Sequence, residues 1–410
     1  MSEKLKGLMN YPGITYIQLW RQSDWGVYCR RNEVFTHFLE VDEDTENIFH
    51  IEEMTLKVFL IRFVNLLTGK ANDNVRQHIF KCLSTKPIKT SGKIFVSAVL
   101  SLGSNNVPIL RSINTFIIKI QLRFKLRGVG GTKVLIVYPP SLMALAGIQC
   151  LKHDLLAFDL IDDVAARCED DNKKIIIESL YSEILPKADK VITTGASLKR
   201  YSRFCPVPVE VVPNGVDLSP YEKAKNEAQN IKQEQVVGYV GSINKTFDPS
   251  LVEECLRELP DVKFIFFGFY DSTGEKHLSV FNKYKNFTFN GSLHHSRVPG
   301  FLTSCDVLIM PKANDVSTVG GDSMKIYQYL ATGNSIVSTG VDPASSFSDV
   351  ITIAEDPVSF ADAVKSALSE ASVLKREKRV QYAAQNSWSV KVKNFTVDIK
   401  DILRKKGAWK

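Results

Sequence analysis

Short apolar runs punctuate the chain at regular intervals. GITYIQLW, KIFVSAVL, KVLIVY, LLAFDLI and KVITTG mark the first half, and QVVGYVG, VKFIFFGF, FTFNGS, VLIMP and SIVSTG repeat the plan in the second. Longer segments between them can hold helices, and strand-helix alternation at this spacing predicts parallel, doubly wound sheets. Because the pattern occurs twice, the expected architecture is α/β with two Rossmann-like domains, ligands lying at the carboxyl ends of the strands and in the cleft between domains. The 410 residues and 44% apolar content suffice for two cores.

The two halves meet in VEVVPNGVDLSPY, residues 209–221, where Pro206, Pro208 and Pro213 stiffen the chain around an Asn-Gly turn. The predicted first domain is 1–213. The polar stretch EKAKNEAQNIKQEQ, residues 222–235, reads as a solvated helix or linker ahead of the second sheet. The uncharged run 134–151 contains Pro139 and Pro140, which break a spanning helix, so it reads as strand, turn and helix.

Charge changes the picture locally. The net charge is +7, yet residues 74–153 contain no Asp or Glu and 12 Lys or Arg, leaving 40 basic against 45 acidic residues elsewhere. An excess confined to one part of one domain is the footprint of an anionic partner. Within it, ILRSINTFIIKIQLRFKLRG places Ile109, Ile113, Phe116, Ile117, Ile120 and Phe124 at helical spacing, with Arg111, Lys119, Arg123 and Lys125 off that face. This fits either an amphipathic helix packed on its own core or a helix resting on an anionic membrane surface. Nucleic acid is not expected, since no helix-turn-helix, zinc-finger or Gly-aromatic pattern accompanies the basic window. No charged-then-apolar segment opens the sequence and the seven cysteines are scattered singly, so a reducing, cytoplasmic setting is expected.

The segment VGGDSMKIYQYLATG has a Gly-Gly bend, an Asp/Ser cap, a helix and Gly333 as its stop. A helix leaving a glycine turn offers free N–H groups and a positive dipole end to a diphosphate. Lys325 and Gln328 share a face of that helix, the first placed for phosphate and the second for a ribose hydroxyl. Ser317, Thr318, Gly320 and Gly321 lead into it and complete the candidate nucleotide-sugar set with Lys245.

VVPNGVDLSPY resembles the inter-domain signature of glycosyltransferases of the GT-B fold, especially family 4 and related bacterial polysaccharide glycosyltransferases. VGYVGSINKTFDPSLVEECLRELPDVKFIFFG, FNGSLHHSRVPGFLTSCDVLIMP and MKIYQYLATGNSIVSTG resemble successive parts of that family's donor domain, so the resemblance covers most of 209–370. It implies a nucleotide-sugar donor on a second domain, 214–385, a saccharide acceptor on the first, and a closing segment, 386–410, that crosses back with Trp388 as its anchor. Asn214 and Gly215 would form the hinge. Where the family usually has two glutamates with seven residues between them, this chain has Gly320 and Gln328, and Ser242 stands in place of an arginine, leaving Lys245 as the nearest cation.

In the first domain, LLAFDLIDDVAA resembles a variant of these enzymes in which aspartate replaces a histidine. Asp162 is then the candidate base that takes the acceptor proton, with Asp159 nearby; a helix cap is the plainer alternative. QLWRQSDWGVYCRR stands where the family has a glycine-rich loop, and Asp24, Trp25 and Gly26 are candidate acceptor contacts, with aromatic packing as the rival. No metal or cofactor is expected: VDEDTE reads as a solvated loop, and His294 and His295 are adjacent rather than spaced as ligands. The expected function is transfer of a sugar to a saccharide acceptor, lipid-linked if the basic window meets the inner leaflet, in surface polysaccharide assembly. The alternatives are a nucleotide-sugar epimerase of the same fold and a non-catalytic GT-B-like binding protein.

Overall fold

The computed structural model describes residues 13–22, 25–26, 31–103, 107–138, 140–161, 163–166, 168, 170–227, 234–313 and 322–409. The chain separates into two compact units, one of Met1–Val212 with Val392–Lys410 and one of Pro213–Lys391.

The first unit holds strands β1 (Ile14–Trp20), β2 (Thr45–Thr55), β3 (Ile88–Ser91), β4 (Ile94–Ser101), β5 (Thr132–Val137), β6 (Leu155–Leu160), β7 (Lys190–Thr193) and β8 (Val209–Val211). Its helices are α1 (Arg31–Val41), α2 (Leu56–Leu67), α3 (Asp73–Leu83), α4 (Pro108–Lys125), α5 (Leu142–Cys150) and α6 (Asp171–Ile184). The strands form one sheet in the order β3-β4-β2-β1-β5-β6-β7-β8, parallel except for β3. β1 and β6 are buried throughout and β5 at all but Lys133, which is why they read as mainly apolar runs.

β2 departs from the expected plan. Its sequence, TENIFHIEEMT, begins inside the VDEDTE run expected to be a solvated loop, yet it lies between β1 and β4. His50 and Glu52 are fully buried there, and buried charge is tolerated only with partners. Lys81 of α3 supplies one, its Nζ donating to Glu52 Oε2 at 3.2 Å. Two acids of VDEDTE are also engaged, Asp42 and Asp44 both pairing with Lys400, while Val41 and Glu43 are exposed.

Helix α4 is turned the opposite way from an amphipathic helix packed on its own core. Ile118 and Leu122 are buried against the core, whereas Ile109, Ile113, Phe116, Ile120 and Phe124 are 44–72% exposed. Polar residues fix this orientation. Gln121 accepts from the Leu100 N–H at 2.9 Å and donates to the Leu100 carbonyl at 2.8 Å, taking the place of a neighbouring strand on β4. Asn114 accepts from Leu102 N–H at 2.9 Å, and Lys125, buried rather than solvated, donates to the carbonyls of Lys81, Cys82 and Ser84 at the end of α3. In α2, LKVFLIRFVNLL, no residue is buried at all.

The second unit holds β9 (Val236–Val240), β10 (Lys263–Phe267), β11 (Phe287–Phe289), β12 (Val307–Met310), β13 (Ser335–Ser338) and β14 (Thr352–Ile353) in the parallel order β11-β10-β9-β12-β13-β14. Its helices are α7 (Ser219–Glu227), α8 (Pro249–Glu258), α9 (Ser272–Phe281), α10 (Val298–Ser304), α11 (Met324–Thr332), α12 (Pro357–Leu368) and α13 (Val373–Gln385). The last helix, α14 (Trp388–Lys405), begins in the second unit and ends in the first. There Phe395 meets the Phe35 ring edge-on at 5.1 Å, and Lys190 donates to Asp398 at 2.5 Å.

Candidate active site

In the second unit the carboxyl end of β9 runs into Gly241, and the side chain of Lys325 reaches it from the first turn of α11. Lys325 Nζ donates to the Tyr239 hydroxyl at 3.0 Å and lies 4.7 Å from the ring centroid. The Tyr239 hydroxyl in turn donates to the Ser242 carbonyl at 2.9 Å. A Cβ on Gly241 would stand 2.0 Å from Lys325 Nζ, so the glycine is what gives the amine its place. Burial pushes Lys325 down to about 8, and no carboxylate lies within ion-pair distance of it among the described residues.

The start of α11 is not capped as expected. Ser323 makes no side-chain hydrogen bond to the first turn. Asp322 is turned elsewhere, accepting the Asn214 N–H and, at 2.7 Å, the Tyr327 hydroxyl. Among the described residues no side-chain cap of the first turn of α11 is seen, and the partly buried ammonium of Lys325 lies beside it. The expected stop is formed: Gly333 takes a left-handed φ of 77°.

Of the other donor-site candidates, Gln328 lies on α11 one turn beyond Lys325 and is half-buried, and Lys245 is exposed in the loop that follows Gly241. That loop is pinned by bridges from Ile243 to Tyr270 and from Phe247 to Lys312. Ser317, Thr318, Gly320 and Gly321 lie outside the described residues. Asn214 also donates through Nδ2 to the Asp322 carbonyl at 2.7 Å. A Cβ on Gly215 would stand 2.6 Å from the Asn386 carbonyl oxygen, and Val216 and Trp388 complete the bridge with a 3.0 Å hydrogen bond.

In the first unit Asp159 does not stand open at a strand end. It is buried within β6, and Arg31 of α1 grips it with Nε at 3.0 Å and Nη2 at 3.2 Å. Asp162 and Asp24 lie outside the described residues. Trp25 donates its backbone N–H to Glu52 Oε1 at 2.7 Å and rests its ring 4.5 Å from that of His50, so its indole is used in packing. Gly26, at a φ of 80°, takes the left-handed turn that follows.

Sequence reasoning passed over the polar cluster on β1 and β2 because its pairings are all tertiary. Gln18 Oε1 accepts from Thr36 Oγ1 at 2.7 Å and from His50 Nδ1 at 3.0 Å, which leaves His50 Nε2 as a buried acceptor with no partner among the described residues. Burial, with Lys81 adding to it, pushes His50 down to about 3, so the ring is neutral. His294 is equally local, its Nδ1 lying 2.8 Å from Ser296 Oγ. Among the described residues no group of three or more His, Cys, Asp or Glu is placed to hold a metal ion.

Two parallel-sheet units of this kind define the GT-B fold, and comparison with solved structures places the chain there. It superposes on the Candida albicans trehalose-6-phosphate phosphatase N-terminal domain with a TM-score of 0.64, at 12% identity over 95% of this chain and 97% of that one. For the UDP-forming trehalose-phosphate synthase of Burkholderia xenovorans in complex with glucose-6-phosphate the TM-score is 0.62, at 12% identity over 93% and 99%. A trehalose-6-phosphate structure from E. coli bound with UDP-2-fluoro glucose gives 0.61, at 11% identity over 93% and 98%. In sequence, TuaH of Bacillus subtilis, named as a teichuronic acid biosynthesis glycosyltransferase, is 23% identical over 181 residues. The match covers 42% of this chain and 46% of TuaH, less than half the length of that relative. No family model matches the sequence.

Proposed function

We propose that the protein is a glycosyltransferase that moves a sugar from a nucleotide-sugar donor held by the second unit to a saccharide acceptor held by the first. The observation that carries this reading is Lys325: a partly buried ammonium with no carboxylate counterpart among the described residues, in the first turn of α11, where Ser323 gives no side-chain cap. Such a place lacks an anion with several oxygens, and a nucleoside diphosphate is one. The fold is shared with UDP-forming synthases, and the matched stretch of TuaH supports the same class.

In this reading Lys325, the α11 N–H groups and Lys245 offset the charge that develops on the departing diphosphate, so no metal is required. Gln328 reaches the ribose, and Ser317, Thr318, Gly320 and Gly321 close around the donor. Asp162 takes the acceptor proton. The acceptor is a lipid-linked saccharide of surface polysaccharide assembly. Support for the lipid comes from the outward apolar residues of α2 and α4, the latter within the strongly basic stretch, which suit an anionic membrane surface. No described helix is long and apolar enough to cross a membrane.

The test is thermal stabilisation by UDP, GDP, ADP, dTDP and CMP, each with magnesium and with chelator. One nucleotide should raise the melting temperature equally in both conditions. No shift with any of them removes the donor site. Turnover of a nucleotide sugar into its epimer without acceptor would replace transfer by epimerisation.

A further inference from the structure

A pocket of about 380 Å³ lies at the carboxyl end of the first unit's sheet, apart from the buried cluster around His50. Arg21, just beyond β1, and Lys173, on α6, bring two cations to it, and Ser141 brings the start of α5. Leu142, Ile177 and Leu180 make an apolar wall. Glu53 of β2 is its carboxylate; burial pushes that group up, opposed by the Ser101 hydroxyl and by Arg21. Ser101 itself is buried beside Glu53. Lys173 also faces Asp170 at 3.4 Å in solvent, an exposed pair of little strength that a ligand displaces easily.

The rim of this pocket is also where the apolar helix α2 begins. Thr55 and Gly103 line it. Thr55 is the N-cap of α2, and the chain beyond Gly103 leads into α4. Leu60, Ile61, Val64 and Leu67 of α2 are 52–71% exposed, and both helices pack on β4. Cations and a helix start select an anion, while outward apolar faces leaving the same rim select a hydrocarbon.

We propose that this pocket binds the phosphate-bearing head of an amphipathic acceptor whose hydrocarbon tail lies along α2 and α4. The proposal rests on the glycosyltransferase reading for the ligand's role as acceptor, but its binding chemistry is separate from the donor site. Arg21 and Lys173 hold the phosphate, the start of α5 adds N–H donors, and Glu53 is left to meet a hydroxyl of the first sugar.

The experiment is a binding titration of the full chain with farnesyl phosphate, inorganic phosphate and farnesol, with the stabilising nucleotide measured in parallel. Farnesyl phosphate is expected to bind saturably and at least about tenfold more tightly than either fragment. Arg21→Ala with Lys173→Ala should remove at least about tenfold of that affinity, while Arg21→Lys with Lys173→Arg retains most of it. Nucleotide binding should be unchanged in both, which also reports that the variants are folded. Equal binding of farnesol and farnesyl phosphate, phosphate binding with no gain from the tail, or indifference to the alanine pair would each overturn the proposal. If nucleotide binds and farnesyl phosphate does not, this proposal fails alone; if farnesyl phosphate binds and no nucleotide does, the transferase reading fails and the pocket assignment stands.

Discussion

Asn214 holds Asp322 from two sides, giving its backbone N–H to the carboxylate and its side-chain amide to the carbonyl. The turn that opens the second unit is thereby tied to the residue just ahead of α11, and Asp322 is kept from capping that helix. Asn214→Ala removes the side-chain half of the clamp at a buried position and should cost about 1–2 kcal/mol in urea unfolding. Nucleotide affinity should fall with it, since the turn is no longer tied through its side chain to the Asp322 carbonyl just ahead of α11. Unchanged affinity would separate the clamp from the donor site.

Lys325→Met should have opposite effects on the empty and the loaded protein. Removing a desolvated cation leaves the empty protein as stable or more so, while diphosphate binding weakens by about ten- to a hundredfold, the worth of one charge-assisted hydrogen bond. Loss of stability together with unaltered binding would contradict the assignment.

The same lysine sets a pH dependence. Its folded value of about 8 lies below the ordinary value of 10.5, so the charged form is disfavoured in the folded state. The unfolded chain therefore binds more protons between those values, and stability of the empty protein rises with pH across that window. Nucleotide affinity runs the other way, falling by up to about tenfold per pH unit above about 8 as the ammonium is lost. Calorimetric titrations at pH 7, 8 and 9 check the sign.

Two neighbouring glycines should respond differently to alanine. At Gly241 the new Cβ meets the movable end of Lys325 first and then the Tyr239 hydroxyl at 2.8 Å, with no backbone atom among these nearest neighbours, so Gly241→Ala should fold and lose nucleotide. At Gly268, with a φ of 151°, it would stand 1.8 Å from the Gly241 carbonyl oxygen, so that variant should lose at least about 3 kcal/mol of stability. Denaturation midpoints and nucleotide titrations on both variants test the contrast.

The Arg31–Asp159 pair is a structural prediction of another kind. Arg31→Met strands a buried carboxylate and should cost about 3–5 kcal/mol, whereas Arg31→Met with Asp159→Leu should recover much of the loss. Failure of the second change to recover stability would point to a role for Asp159 beyond the pair.

Phe116, exposed on α4, tests the membrane surface. Phe116→Asp should leave thermal stability unchanged and reduce binding to phosphatidylglycerol vesicles by about tenfold. Binding by the unaltered protein should fall as salt rises from 0.1 to 0.5 M. Vesicle binding indifferent to both would remove that face from the proposal.

The fold class could be read from the apolar runs because β1, β5, β6 and β12 are buried on both faces and have little room for polar residues. β2 was hidden for the converse reason: His50, Glu52 and Glu53 look like loop residues until Gln18, Lys81 and Trp25 are known to meet His50 and Glu52. The Lys325 helix was legible from its glycines and its stop. The engagement of Asp159 was not, because Arg31 lies 128 positions away in sequence.

Gln121 has a consequence for how α4 can behave. An apolar stripe facing water would ordinarily turn inward, and a rotation of the helix would suffice. Here that rotation would strip both backbone groups of Leu100 of their partner and take Asn114 from Leu102, leaving the margin of the sheet open to any passing strand. The outward stripe is therefore kept by amide pairing against the pull of hydrophobicity, and a lipid surface could cover it with no change in the helix beneath.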